Sequence, residues 1–363
     1  MNIEIEKIED LGWNDFFEEN RVKLGLSDFC VARVMSENRG LYKVKTIDDN
    51  YLAKITGKKV FESSNREDYP AVGDWVALEK IDNNDAIIHE ILPRKTILKR
   101  KYSGKDETQI IATNIDVAFI VESIDRDYSL NRLERYCAMA RDSGIKPVAI
   151  INKIDLISNQ ERDGKTEEIK SRLTNVDIIY TSAMSDGGLQ ELQDYIVDGK
   201  TYCFLGSSGV GKSSLINKLL GTDDIKVGGI GTHSNRGKHT TTQRDMYFLN
   251  DGGIVIDNPG IREVGVTDVK TGIDEQFNTI TASAKKCKFV NCTHTHEPGC
   301  GVLADVKKGT LKEDEYKNYI GLKKESEHYG MTKREQKEKS KKFGKFMKTT
   351  KSELRKYGHK DYE

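Results

Sequence analysis

Gly206, Ser207, Ser208, Gly209, Val210, Gly211, Lys212 and Ser213 fit G-x-x-x-x-G-K-[ST] at every fixed position. The glycines let a backbone curl so that successive N–H groups face phosphate oxygens, at a helix start whose dipole favours anions. Lys212 is then placed to reach the β and γ phosphates, and the Ser213 hydroxyl to ligate Mg²⁺. The flanks agree: residues 202–205 read as a strand, and Ser214 opens the helix-like stretch 214–220. A loop of this kind recognises phosphate and leaves the base unread.

Base recognition is written elsewhere. Asn152, Lys153, Ile154 and Asp155 form N-K-x-D at the end of the apolar segment 148–151. There a carboxylate accepts from both the ring N1–H and the exocyclic amine of guanine, and facing adenine it would be left unpaired. Thr181, Ser182 and Ala183 close the next strand-like segment, where Ser182 and Ala183 offer backbone to the guanine oxygen. Asp257, Asn258, Pro259 and Gly260 form D-x-x-G after residues 253–256: Asp257 is expected to hold Mg²⁺ through water and the Gly260 N–H to meet the γ-phosphate. Between phosphate loop and D-x-x-G lie His239, Thr240, Thr241 and Thr242 in a glycine-rich polar stretch. A threonine there closes on Mg²⁺ only when the γ-phosphate is present; which of the three does so stays open, with Thr241 placed beside Lys212 and His239 in the catalytic set. Ile261 follows Gly260, where Ras-like enzymes carry a water-orienting glutamine. Intrinsic turnover should therefore be slow, with His239 or a partner's group orienting the water.

A second chemistry lies further on. Cys287, Cys292 and Cys300 stand with His294 in Cys-x4-Cys-x-His-x5-Cys, with His296 as a competing nitrogen donor. Three thiolates and one imidazole close a tetrahedral Zn²⁺ shell with no position for water, a structural site. Cys30, Cys137 and Cys203 lie in apolar segments and read as core residues.

The elements that must carry these groups follow from pattern. Residues 29–34, 41–46, 51–55, 75–78 and 86–91 read as short strands between turn signals, the pattern of a small barrel of the oligonucleotide-binding (OB) type. Beyond a basic linker at 94–101, apolar strands (117–121, 147–151, 176–180) alternate with helical stretches (130–142, 161–173, 189–197). That alternation is a parallel sheet covered on both faces. From about residue 273 the chain is helical and polar.

Lys plus Arg and Asp plus Glu are both 58 in 363 residues, so the net charge is zero. The sum hides an asymmetry: residues 1–20 hold seven acids and one lysine, and residues 331–360 hold twelve bases and three acids. A basic tail joined to a barrel and a zinc module points to RNA contacts through phosphates. No apolar run approaches the roughly 20 residues of a membrane helix, and the acidic start lacks the features of a secretory signal. A cytoplasmic, reducing setting is expected, with free thiols and no membrane partner.

The order of the motifs is informative. Conventional GTPases run phosphate loop, switch threonine, D-x-x-G, N-K-x-D, Ser-Ala, and here the last two come first, a circular permutation. With a barrel before it, a Cys/His cluster after it, residues 70–74 (Pro-Ala-Val-Gly-Asp) and Arg262-Glu263 after D-x-x-G, the chain resembles the RsgA (YjeQ/YloQ) family of GTPases essentially end to end. The resemblance implies an α/β P-loop GTPase core, circularly permuted, with an N-terminal OB-type β-barrel (1–104), the GTPase domain at 105–272, and a C-terminal zinc-binding, mainly helical domain (273–363). It favours His294 as the fourth zinc ligand. It further implies GTP/GDP, Mg²⁺ and one Zn²⁺ per chain, a monomer, and a partner in the small ribosomal subunit and its rRNA, with GTP hydrolysis driving release. The rivals are a permuted GTPase of the large subunit or another structured RNA, and an RNA-binding module with a vestigial nucleotide site.

Overall fold

The computed structural model describes residues 5–81, 84–101, 108–125, 128–222, 244–250, 252–258, 269–331 and 333–357. His239, Thr240, Thr241, Thr242, Gly260 and Ile261 lie outside the described residues.

The acidic N-terminus, for which the sequence suggested no role, forms helix α1 (Asp15–Lys23), capped by the Asn14 side chain accepting from the Phe16 N–H. Phe17 of this helix packs with Leu11 and Trp13 on Trp75 and Leu92, closing one side of the barrel.

Five strands follow: β1 (Cys30–Asn38), β2 (Leu41–Lys45), β3 (Asn50–Ile55), β4 (Trp75–Lys80) and β5 (Asp85–Ile91). They are ordered β1-β2-β3-β5-β4, and a β1–β4 pairing closes the ring. The short helix α2 (Gly57–Glu62) precedes β4. Alternation puts Ala32, Val34, Val44, Val76 and Ile88 inside. Cys30 is a correction: it shares the parity of the inward-facing Ala32 and Val34, yet at the strand's first position it is exposed.

A second correction concerns 94–101. Rather than a linker, its second half is β6 (Ile97–Lys101), paired antiparallel with β7 (Thr108–Thr113). Leu98 is buried in the α/β core and gives the segment a strand's inward side chain, which its charge density concealed. Arg94 is also structural, since it forks onto the fully buried Asp74 at 2.8 and 2.7 Å, and Asp74 takes a further bond from Thr113.

The α/β core alternates β8 (Val117–Ser123), α3 (Leu130–Asp142), β9 (Lys146–Asn152), α4 (Asn159–Arg172), β10 (Asp177–Thr181), α5 (Gln190–Tyr195), β11 (Thr201–Leu205) and α6 (Lys212–Leu220), then β12 (Asp245–Phe248) and β13 (Ile254–Asp257). The order is β10-β9-β8-β11-β13-β12, parallel except for β12, which the sequence reading missed. Ser36 of β1 pairs with Asp245 of β12, so barrel and core share one continuous sheet. Arg33 of β1 is fully buried at this junction and donates to the carbonyls of Gly73, Leu11 and Asn114 and to Thr201 Oγ1, the last in the strand that leads to the phosphate loop.

Five helices complete the described chain: α7 (Lys270–Gln276), α8 (Asn278–Ala284), α9 (Gly301–Lys307), α10 (Glu313–Gly330) and α11 (Lys333–Tyr357). Ile273, Phe277, Ile280, Val302 and Tyr319 form their core. Helix α10 is fastened to the α/β core through α3: the fully buried Glu134 accepts from Arg172 Nε and Nη2 at 2.6 Å and from the Asn318 amide, and Arg135 pairs with Glu325. By contrast, the described side chains of α11 are nearly all exposed.

Candidate nucleotide site and metal centre

Parallel strands in register bring the motifs to one edge. Ser123 of β8 lies opposite Asn152 of β9, which lies opposite Thr181 of β10, and Asp257 ends β13 beside the strand that opens into the phosphate loop. Thus N-K-x-D, Thr-Ser-Ala, the phosphate loop and Asp257 share the carboxyl ends of the strands, where open α/β sheets bind ligands.

The phosphate loop keeps its shape because two glycines are obligatory. Gly206 has φ +146° and a Cβ there would strike the Val121 carbonyl; Gly211 has φ +100° and a Cβ would strike the Asn152 amide. The Asn152 Nδ2 instead donates to the Val210 carbonyl at 2.8 Å, and its Oδ1 accepts from Thr181 Oγ1 at 3.0 Å. Asn152 is therefore a brace between base motif and phosphate motif. Lys153 does the same from above, donating to the Gly209 carbonyl at 3.0 Å and to Asp125 at 2.7 Å. Asp125, which ends β8's extension, was missed by sequence reasoning; its signal was an acid just beyond an apolar strand end. Asp155 accepts from Ser182 Oγ at 2.5 Å, and that oxygen in turn accepts from the N–H groups of Met184 and Ser185. This chain of bonds fixes the Asp155 carboxylate in place. Ala183 is the residue between, at the turn.

Lys212 is buried at the start of α6 and its ammonium bonds the Gly206 and Ser207 carbonyls at 2.7 Å. Gly209 has open space around its α-carbon, and Ser208, Ser213 and Ser214 complete the loop and the first helical turn. Burial raises the Asp257 pKa, and the neighbouring Lys212 charge opposes that rise. A desolvated carboxylate beside the phosphate loop is a group whose charge a cation would stabilise. Its neighbour Asn258 is fully buried and bonds Cys203, whose thiol burial pushes up to about 12. Burial raises the Tyr136 pKa, and nearby Arg135 and the Ser207 side chain oppose that rise, so α3 lies beside the phosphate loop.

The second cluster is equally convergent. One ligand atom from each of Cys287, Cys292, His294 and Cys300 lies within 4.8 Å of the others. His294 Nδ1 stands 3.5 Å from both Cys287 Sγ and Cys300 Sγ. The N–H groups of Gly301 and Leu303 point at the Cys287 and Cys300 sulfurs, an arrangement that stabilises thiolates. His294 is buried, which lowers its pKa and favours the neutral ring, whereas His296 is exposed and bonds Thr295. The donor set and spacing suit a metal that takes four soft ligands.

Comparison with known proteins agrees with this arrangement. A family model described as RsgA GTPase matches residues 91–267, and one described as 50S ribosome-binding GTPase matches residues 201–339. The small ribosomal subunit biogenesis GTPase RsgA 2 of Lactiplantibacillus plantarum is 40% identical over 305 residues, 84% of this chain and 86% of its own. RsgA 1 of Bacteroides thetaiotaomicron is 35% identical over 97% of this chain and 98% of its own. Among solved structures, YjeQ from Thermotoga maritima aligns with a TM-score of 0.60 at 26% identity, covering 82% of this chain and 98% of that one. YloQ, described as a circularly permuted GTPase, shares the fold with a TM-score of 0.58 at 23% identity, covering 84% of this chain and 97% of that one.

Proposed function

The chain belongs to the RsgA GTPase family, and from that premise we propose that it is a GTPase of small ribosomal subunit biogenesis that binds the subunit, assists its late maturation and leaves on GTP hydrolysis. The observation that carries the reading is the convergence of N-K-x-D, Thr-Ser-Ala, phosphate loop and Asp257 on one sheet edge in permuted order.

In this reading Asp155 takes the two guanine donors, Lys153 lies along the base while held by Asp125, and the backbone at Ser182 and Ala183 meets the guanine oxygen. The N–H groups of residues 206–214 cradle the phosphates, and Lys212 neutralises the charge that builds on the β and γ oxygens as the bond to the γ-phosphorus breaks. Ser213, Asp257 and one of Thr240, Thr241 and Thr242 would hold Mg²⁺, which supplies charge neutralisation at the same oxygens. His239 orients the attacking water, with the Gly260 N–H on the γ-phosphate; without a glutamine after Gly260, turnover waits on the partner. Cys287, Cys292, His294 and Cys300 would hold one Zn²⁺, which supplies folding energy to the 273–363 module rather than chemistry. The barrel (1–104), the GTPase domain (105–272) and this module act as one cytoplasmic monomer, with the basic tail meeting rRNA phosphates.

The test is GTP hydrolysis with and without purified small subunits, expected to be slow alone and stimulated by them. The match to the 50S ribosome-binding GTPase description favours a second reading, action on the large subunit. Cosedimentation with separated subunits distinguishes the two.

A further inference from the structure

The metal-ligand cluster also presents a feature that neither catalysis nor metal binding uses. Between Cys287 and Cys292 the chain turns through Lys288, Phe289, Val290 and Asn291, held by the Lys288 N–H to the Gly299 carbonyl at 3.0 Å and the Cys292 N–H to the Phe289 carbonyl at 3.3 Å. Both ends of this turn are tied to the cluster, so its side chains cannot fold inward. Val290 is fully exposed and the Phe289 ring is 41% exposed, with the Lys288 ammonium 5.6 Å from the ring centroid. Lys288 within the turn and Lys285 just before it in sequence are exposed. Lys286 is held by Asp305.

A turn that presents one aromatic face and one aliphatic side chain beside a lysine ammonium is small. It falls far short of the roughly 800 Å² per partner of a stable protein interface. It matches a single flat, uncharged ring joined to phosphates, because any nucleobase offers a π-face for stacking and its backbone offers charge to the lysines. We propose that the Phe289–Val290 tip is a stacking platform for an unpaired RNA base, with Lys288 and the neighbouring Lys285 available to the flanking phosphates. This deepens the ribosomal reading above and rests on it: it places one sequence-tolerant, single-stranded contact on the metal-binding module, separate from the phosphate-dominated tail.

The full-length protein, its zinc content measured, is titrated with a fluorescently labelled 12-nucleotide single-stranded RNA of mixed sequence, a blunt RNA duplex, and vesicles of 30% phosphatidylserine in phosphatidylcholine. Phe289→Ala should weaken single-strand binding about ten-fold, equivalent to roughly 1.4 kcal/mol, and leave duplex binding, zinc content and intrinsic GTP hydrolysis unchanged. Phe289→Trp should retain the affinity, and Phe289→Leu, which keeps bulk but loses the ring, should behave like the alanine variant. Val290→Ser, at a site too exposed to unfold the chain, should weaken binding by about two-fold. If Phe289→Leu binds as well as the parent, the contact is not a base stack and the inference fails; loss confined to vesicles would assign the tip to a membrane surface and overturn it. Should the parent bind single-stranded RNA but fail to cosediment with small subunits, the ribosomal reading fails while the platform stands. Should the parent cosediment with subunits and Phe289→Ala lose nothing on single strands, the platform alone fails.

Discussion

Glu134 offers a quantitative test of how the metal-binding module is attached. Its side chain is fully buried, both oxygens take Arg172 nitrogens at 2.6 Å, and one also takes the Asn318 amide of α10. Burial pushes the Glu134 pKa up, and Arg172 pulls it back. In Glu134→Ala the buried Arg172 guanidinium loses its counter-ion and Asn318 its acceptor, the situation in which breaking a buried pair costs about 3–5 kcal/mol. Taking the lower end, and about 2–4 °C per kcal/mol for a unit of this size, the transition that contains α3 and α10 should fall by roughly 6–12 °C. Circular dichroism at 222 nm follows those helices directly. The double variant Glu134→Leu/Arg172→Met leaves no buried charge and should recover most of the loss. The Arg135–Glu325 pair joins the same helices but is about a quarter exposed at both ends, so Arg135→Ala should cost less than about 1 kcal/mol. If Glu134→Ala shifted the transition by under 2 °C, or the double variant were as unstable as the single, the buried pair would not be the attachment.

Asp155→Asn exchanges an acceptor for a donor against the guanine edge and should lower GTP affinity by about 100-fold or more while raising xanthosine triphosphate affinity, read by competition against a fluorescent GDP. Gly211→Ala forces a side chain into φ +100° and onto Asn152; about 1–2 kcal/mol of strain plus about 1 for the Asn152–Val210 bond should appear as lost stability in urea titration and lost nucleotide binding. His239→Ala should abolish most subunit-stimulated turnover while leaving GTP affinity intact, and unchanged stimulation would reduce His239 to a loop residue. In the metal-binding module, Asp305 is held below the ordinary carboxylate range by the Ser283 hydroxyl and then by Lys286. A lowered native pKa means that the stability it contributes is complete above the ordinary carboxylate pKa of about 3.9 and drains away as pH falls through the lower native value. Asp305→Asn should therefore flatten the acid limb of the 222 nm unfolding profile.

Much of this was legible because it is periodic or stereotyped. The continuous apolar run of β8 can only be a strand covered on both faces, Ser129 and Ser158 cap the helices the pattern predicts, and the phosphate loop and Cys/His spacings are local. What escaped was what tertiary pairing decides. The β6 strand is dense in lysine and arginine, and only its pairing with β7 and the burial of Leu98 reveal it. β12 is four residues long and holds its place by bridging β13 and the barrel. Cys30 looked like core because its neighbours are apolar, yet at the first position of β1 it is exposed even though it shares the face of Ala32 and Val34. In the nucleotide site the motif residues were all visible, whereas Asp125 and the bracing role of Asn152 needed the strand register. Arg33 carries no motif, and its four acceptors come from four separate parts of the chain.

The central claim is that one permuted nucleotide switch answers to the small ribosomal subunit. Steady-state phosphate release from GTP by the full chain, with small subunits, with large subunits and with neither, tests it most directly. The account predicts slow release alone, marked stimulation by small subunits only, and loss of both in Lys212→Ala. Stimulation by large subunits instead, or no release under any of the three conditions, would contradict it.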